Sequence, residues 1–153
     1  MNGKIVLGTL GAVVGAVIGA IAWAAITAAT NFQIGYMAVG VGFLAGFGMR
    51  MLSGGFVRSE GIIAGVVALL GCVLGNLLTG VVVIAQHEHY PMWAVALAVF
   101  THVDFAREIL SNGFNVMDLL FYAIAVYAGY RTALKPRAVA TTEPSVYEPP
   151  PAS

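Results

Sequence analysis

Between Gly8 and Ala29 the chain sets Gly8, Gly11, Gly15, Gly19, Ala22 and Ala29 at three-, four- and seven-residue steps inside an unbroken apolar run. Steps of that size fall on one side of an α-helix, so the run predicts a helix with a flattened face against which a neighbouring backbone can approach closely. It is too long and too apolar for the core helix of a soluble domain. Ala22-Trp23-Ala24 resembles a small-residue cleavage site, but a signal peptide has an apolar region of only about 7–15 residues. The run is therefore read as a first membrane span.

Composition points the same way, with 59% hydrophobic and 9% charged residues, against roughly 25% charged in a soluble domain. Seven basic and seven acidic residues cancel, leaving no basic field to attract nucleic acid. The single cysteine, Cys72, lies inside an apolar run and excludes a disulfide within the chain. Nineteen glycines would weaken soluble helices, each by about 1 kcal/mol relative to Ala; in lipid they permit close contact.

The expected fold is all-α: a polytopic membrane bundle with four transmembrane helices over about residues 5–29, 34–52, 61–85 and 114–134. In the second, Gly35, Gly42 and Gly46 share one side while Tyr36, Phe43 and Phe47 share another. The third repeats the small-residue stripe with Gly61, Gly65, Ala68, Cys72, Gly75 and Thr79. The last carries Tyr122, Tyr127 and Tyr130, read as aromatics suited to the headgroup region. Residues 92–111 begin wholly apolar and then gather Asp104, Arg107, Glu108 and Ser111 on one side, with Ala96, Val99, Val103, Ala106 and Leu110 on the other. That predicts one interfacial or re-entrant amphipathic helix rather than a fifth span. Residues 135–153 hold all but one of the six prolines and predict a disordered tail.

With four spans, Lys4, Arg50, Arg58, Arg131, Lys135 and Arg137 fall on one side and only Arg107 on the other. The positive-inside rule makes that side the cytoplasm, with both termini. The histidine-bearing segment is then outside.

Four places could carry chemistry. Asn76 lies near the middle of the third span, where an amide needs a partner; an interhelical hydrogen bond is expected there. Asp118 is an ionisable group inside a span, expected to cap the last helix after Asn115 rather than to relay protons. His87, Glu88, His89, His102, Asp104 and Glu108 share the segment between the third and last spans, and imidazole with carboxylate can bind Zn²⁺ or a similar ion. His87, His89, His102 and Asp104 are the candidate ligands, although their spacing fits no HExxH or comparable motif. The glycine faces are the fourth, as packing surfaces.

The runs Gly35 to Gly42, Ala68 to Asn76 and Met117 to Tyr122 resemble small four-span bacterial inner-membrane proteins of uncharacterised function. That resemblance implies a bacterial inner-membrane location and supplies no catalytic residue.

No GxSxG, Walker loop, CxxC or paired catalytic carboxylates occur, so neither catalysis nor a cofactor is expected. The expected role is a structural or interaction component of the bilayer, self-associating or joining another membrane protein through its glycine-rich faces. An oligomeric pore or small-solute transporter, and a metal-binding enzyme or sensor, are the alternatives.

Overall fold

A computed structural model describes residues 3–32, 35–55 and 57–134. The tail expected over residues 135–153 lies outside the described residues, as do the lysine and arginine at 135 and 137. The described residues form six helices and no strand: α1 (Gly3–Thr30), α2 (Met37–Ser53), α3 (Arg58–Glu88), α4 (Met92–Thr101), α5 (Val103–Gly113) and α6 (Val116–Ala133).

Each boundary has a local cause. Asn31 takes the left-handed conformation at φ 53° and donates its N–H to the Thr27 carbonyl, closing α1. Gly54, at φ 101°, closes α2 the same way on the Arg50 carbonyl. His89, at φ 58°, ends α3, and Pro91 is the N-cap of α4. The Glu60 carboxylate turns back to accept the Val57 N–H at 3.2 Å, satisfying one orphan donor at the start of α3.

Four helices make the bundle. α1 and α3 run one way, α2 and α6 the other, and α2 and α3 form the short diagonal, since α1 and α6 do not touch. Its interior is built from small side chains, among them Ala12, Ala16, Ala38, Ala45, Ala64, Ala68 and Ala125, with Trp23, Val41 and Met49 as the large fillers. Lys4, Arg50, Arg58 and Arg131 gather at one end, because Gly8 meets Ser53 and Gly61 meets Tyr130 there.

α4 and α5 are attached differently. They pack on α3 and on each other alone, through Val81 and Ala85 against Val95 and Val99, with Phe105, Ala106 and Ile109 alongside. The segment expected as one helix over 92–111 is therefore two, broken at His102, whose backbone is extended. Restarting the helix there also leaves Val103 80% exposed, off the apolar face to which its spacing had assigned it.

Two helices, α1 with 28 residues and α3 with 31, are long and apolar enough to cross a membrane. A third qualifies only when α5 and α6, which meet at 101°, are taken together. The count is thus two to three where the sequence predicted four. The expected second span loses its first turn because Gly35 and Tyr36 form a turn, which leaves α2 with 17 residues. The expected last span starts at Val116, since Asn115 is its extended N-cap; its 18 residues are long enough, but Asp118, Arg131, Tyr122, Tyr127 and Tyr130 leave it too polar to qualify alone.

Candidate functional site

The ten glycines read as packing positions all face helices of the same chain. A Cβ on Gly8 would lie 2.6 Å from the Met49 sulfur, and one on Gly19 would lie 2.9 Å from the Val41 Cα. Gly11 and Gly15 sit on the carbonyls of Gly48 and Leu44, which joins α1 to α2 by backbone contact. Gly42 and Gly46 do the same to α6 at Ala125 and Gly129, and Gly35 lies under the Phe121 ring. Gly61 and Gly65 of α3 receive Tyr130 and Val126 of α6, while Gly75 lies under the Trp23 ring of α1, 2.6 Å from its Cε3 to an added Cβ. Ala22 and Ala29, the remaining small residues of the first stripe, are exposed.

Outward faces of these helices are apolar. Leu7, Leu10, Val14, Ile18 and Ile21 line the exposed side of α1, and Tyr36, Phe43 and Phe47 that of α2, with the Phe43 and Phe47 rings stacked at 6.2 Å.

Polar groups inside the bundle concentrate around Asn76. Its Nδ2 donates to the Tyr122 hydroxyl at 2.6 Å, and that hydroxyl donates to the Cys72 carbonyl at 3.3 Å, linking α3 to α6. Tyr122 is buried rather than at a headgroup level: it stands one turn after Asp118, on the inward face of α6. Spacing from Asp118 marks that face of α6, but it does not single out Tyr122 as the partner of Asn76. One further seam lies between α1 and α3, where the Trp23 Nε1 and the hydroxyls of Thr27 and Thr79 are buried without a hydrogen-bond partner among the described residues.

Asp118 accepts the Asn115 N–H at 2.9 Å through Oδ2, at the first turn of α6. That is the geometry of a cap, in which the carboxylate also complements the positive end of the helix.

The histidines do not converge. His87 lies in the last turn of α3, His89 holds the Gln86 carbonyl at 3.1 Å through Nδ1, and His102 Nδ1 meets the Thr101 hydroxyl at 2.9 Å. Among the described residues no three His, Cys, Asp or Glu side chains come close enough to hold a metal ion. The candidate site on His87, His89, His102 and Asp104 is thus not assembled, because the α4 helix inserts a rigid rod between His89 and His102.

Fold and polar geometry together define an all-α bundle with two to three helices fit to cross a membrane. Compared with protein-family models, curated proteins and solved structures, the chain matches none.

Proposed function

We propose that this chain is a structural or interaction component of a bacterial inner membrane, self-associating or serving as an accessory subunit of a larger membrane complex. In this reading α1, α2, α3 and α6 all cross the bilayer, the termini are cytoplasmic, and α4 and α5 pack on the extracytoplasmic half of α3 as an interfacial or re-entrant segment. The gathering of Lys4, Arg50, Arg58 and Arg131 at one end of the bundle supports that orientation. The 17 residues of α2 and 18 of α6 make rods of about 25 Å, close to the roughly 30 Å hydrocarbon thickness.

The observation that carries the reading is the closure of the bundle by backbone contact. Gly11 on Gly48, Gly15 on Leu44 and Gly42 on Ala125 bring the backbones of α1, α2 and α6 into direct contact. That close packing supports a scaffold over a conduit within one chain. The alternative of an oligomeric pore needs a polar helix face turned outward, and the exposed sides of α1 and α2 are aliphatic and aromatic.

Because the glycine faces are engaged within the chain, the partner surface proposed here is the α4–α5 hairpin, which touches α3 alone. Purification from native membranes in mild detergent, followed by mass determination, tests the reading. A particle larger than one chain, or a stoichiometric copurifying membrane protein, is expected. A bare monomer from native membranes overturns it.

A further inference from the structure

α5 packs along α3 with a groove on each flank. Arg107 and Glu108 are neighbours in sequence, and on a helix neighbours point about 100° apart, so each enters a different groove. One groove, of about 340 Å³, has Glu108, Asn112 and Asn76 as its polar groups and Val83, Ile84 and Ile109 among its apolar walls. The other, of about 480 Å³, has Arg107 and Ser111 beside Leu110 and Phe114. The first therefore presents a carboxylate with no cation, and Glu108 enters no ion pair among the described residues.

We propose that the α3–α5 groove binds the primary-ammonium headgroup of an amphiphile, specifically an amine-headed phospholipid of the surrounding bilayer. Charge complementarity carries the choice of headgroup: Glu108 offers the acceptor and the counter-charge, and the Asn112 carbonyl offers a second acceptor. A primary ammonium has three N–H donors to place there. A trimethylammonium has none, and a glycerol headgroup leaves the carboxylate facing a phosphate of its own sign. Val83, Ile84 and Ile109 give an amphiphile apolar contact beside the carboxylate, and α3 is one of the helices apolar enough to cross a membrane. The volume is in the range of small-ligand pockets, about 300–1,000 Å³. The proposal rests on the membrane reading above.

The test uses the full-length chain in detergent and native mass spectrometry with added phospholipids of identical chains and ethanolamine, choline or glycerol headgroups. One ethanolamine lipid per chain is expected to be retained about tenfold better than the other two, the size of one charge-assisted hydrogen bond. Glu108→Gln is expected to abolish the preference, and Arg107→Gln, on the opposite flank, to preserve it. Equal retention of all three lipids, or an unchanged preference in Glu108→Gln, overturns the proposal. Binding of dodecylammonium without binding of the ethanolamine lipid also overturns it, by assigning the groove to a free amphiphile. Alkaline carbonate washing of native membranes separates the two levels: a chain that washes out defeats the membrane reading itself, whereas one that stays but shows no headgroup preference defeats only this inference.

Discussion

Gly11 and Gly48 are reciprocal: a Cβ on either would run into the carbonyl oxygen of the other, so α1 and α2 touch backbone to backbone at that level. Neither position tolerates a side chain without separating the helices. Overpacking a well-filled contact costs about 1–3 kcal/mol or more, and here the obstructing atoms belong to backbone, which cannot rotate away. Gly48→Leu is therefore expected to lower the unfolding temperature in detergent sharply, as is the pair Gly15→Leu with Gly19→Leu. Gly40 provides the contrast, since nothing lies within 4 Å of its Cβ position. Gly40→Ala should stabilise the helix by up to about 1 kcal/mol. Equal behaviour of Gly48→Leu and Gly40→Ala in a thermal melt would show that the glycine contacts do not hold the bundle.

The hydrogen bond from Asn76 to Tyr122 ties α3 to α6 at 2.6 Å inside the bundle. Removing the hydroxyl in Tyr122→Phe leaves the ring in place, with an expected loss of about 1 kcal/mol. Pairing it with Asn76→Ala in a double-mutant cycle should give a coupling of roughly 0.6–1.7 kcal/mol, the span found between membrane helices. Additive losses would mean that the two side chains act independently.

Asp118 is a cap by its geometry, and that assignment separates two substitutions. Asn keeps an acceptor for the Asn115 N–H, so Asp118→Asn should change stability by only a few tenths of a kcal/mol, whereas Asp118→Leu should cost about 1 kcal/mol. Denaturant titration of the two variants checks the difference. Equal losses would point to a role for the negative charge beyond capping.

Thr79 behaves oppositely to Asn76. Its hydroxyl is buried and has no hydrogen-bond partner among the described residues. Substituting a group of the same shape without the hydroxyl relieves that burial, so Thr79→Val should be neutral or stabilising. A loss above about 1 kcal/mol in the same titration would show that the hydroxyl is bonded after all.

The periodic parts of this fold were legible because periodicity is a local property. The stripes on α1 and α3 are set by spacing alone, and Gly8, Gly11, Gly15, Gly19, Gly61, Gly65 and Gly75 all lie on helix sides turned towards a neighbouring helix. Span number was not legible in the same way, because apolar character continues through Gly35-Tyr36 and Phe114 into residues that form turns and caps rather than helix. The break at His102 was hidden too. No glycine or proline marks it, and the Thr101 hydroxyl, bonded to the Leu97 carbonyl at 2.6 Å, belongs to the helix end only once the chain has turned. Asn76's need for a partner was readable from its position, but the partner stands 46 residues away. No spacing rule reaches that far.

Gly80 is where α5 docks on α3, and a Cβ added to it would collide with the Ile109 side chain. Because α5 reaches the bundle chiefly through α3, pushing Ile109 away loosens α5 while the packing of α4 on α3 and the contacts of α2 with α1 and α6 remain. Gly80→Leu is therefore expected to detach α5 while leaving the four-helix unit folded. Two measurements follow this separation. Limited proteolysis between Thr101 and Phe114 should accelerate, and a cysteine placed at Ile109, with Cys72 replaced by Ser, should label faster with a membrane-impermeant thiol reagent than it does beside Gly80. The circular dichroism of the remaining helices should keep its melting transition within a few degrees, because α1, α2 and α6 retain their contacts. Loss of the whole transition in Gly80→Leu would show instead that the hairpin is part of the cooperative unit, and that the α3 segment beyond Asn76 cannot remain helical without α5 against it.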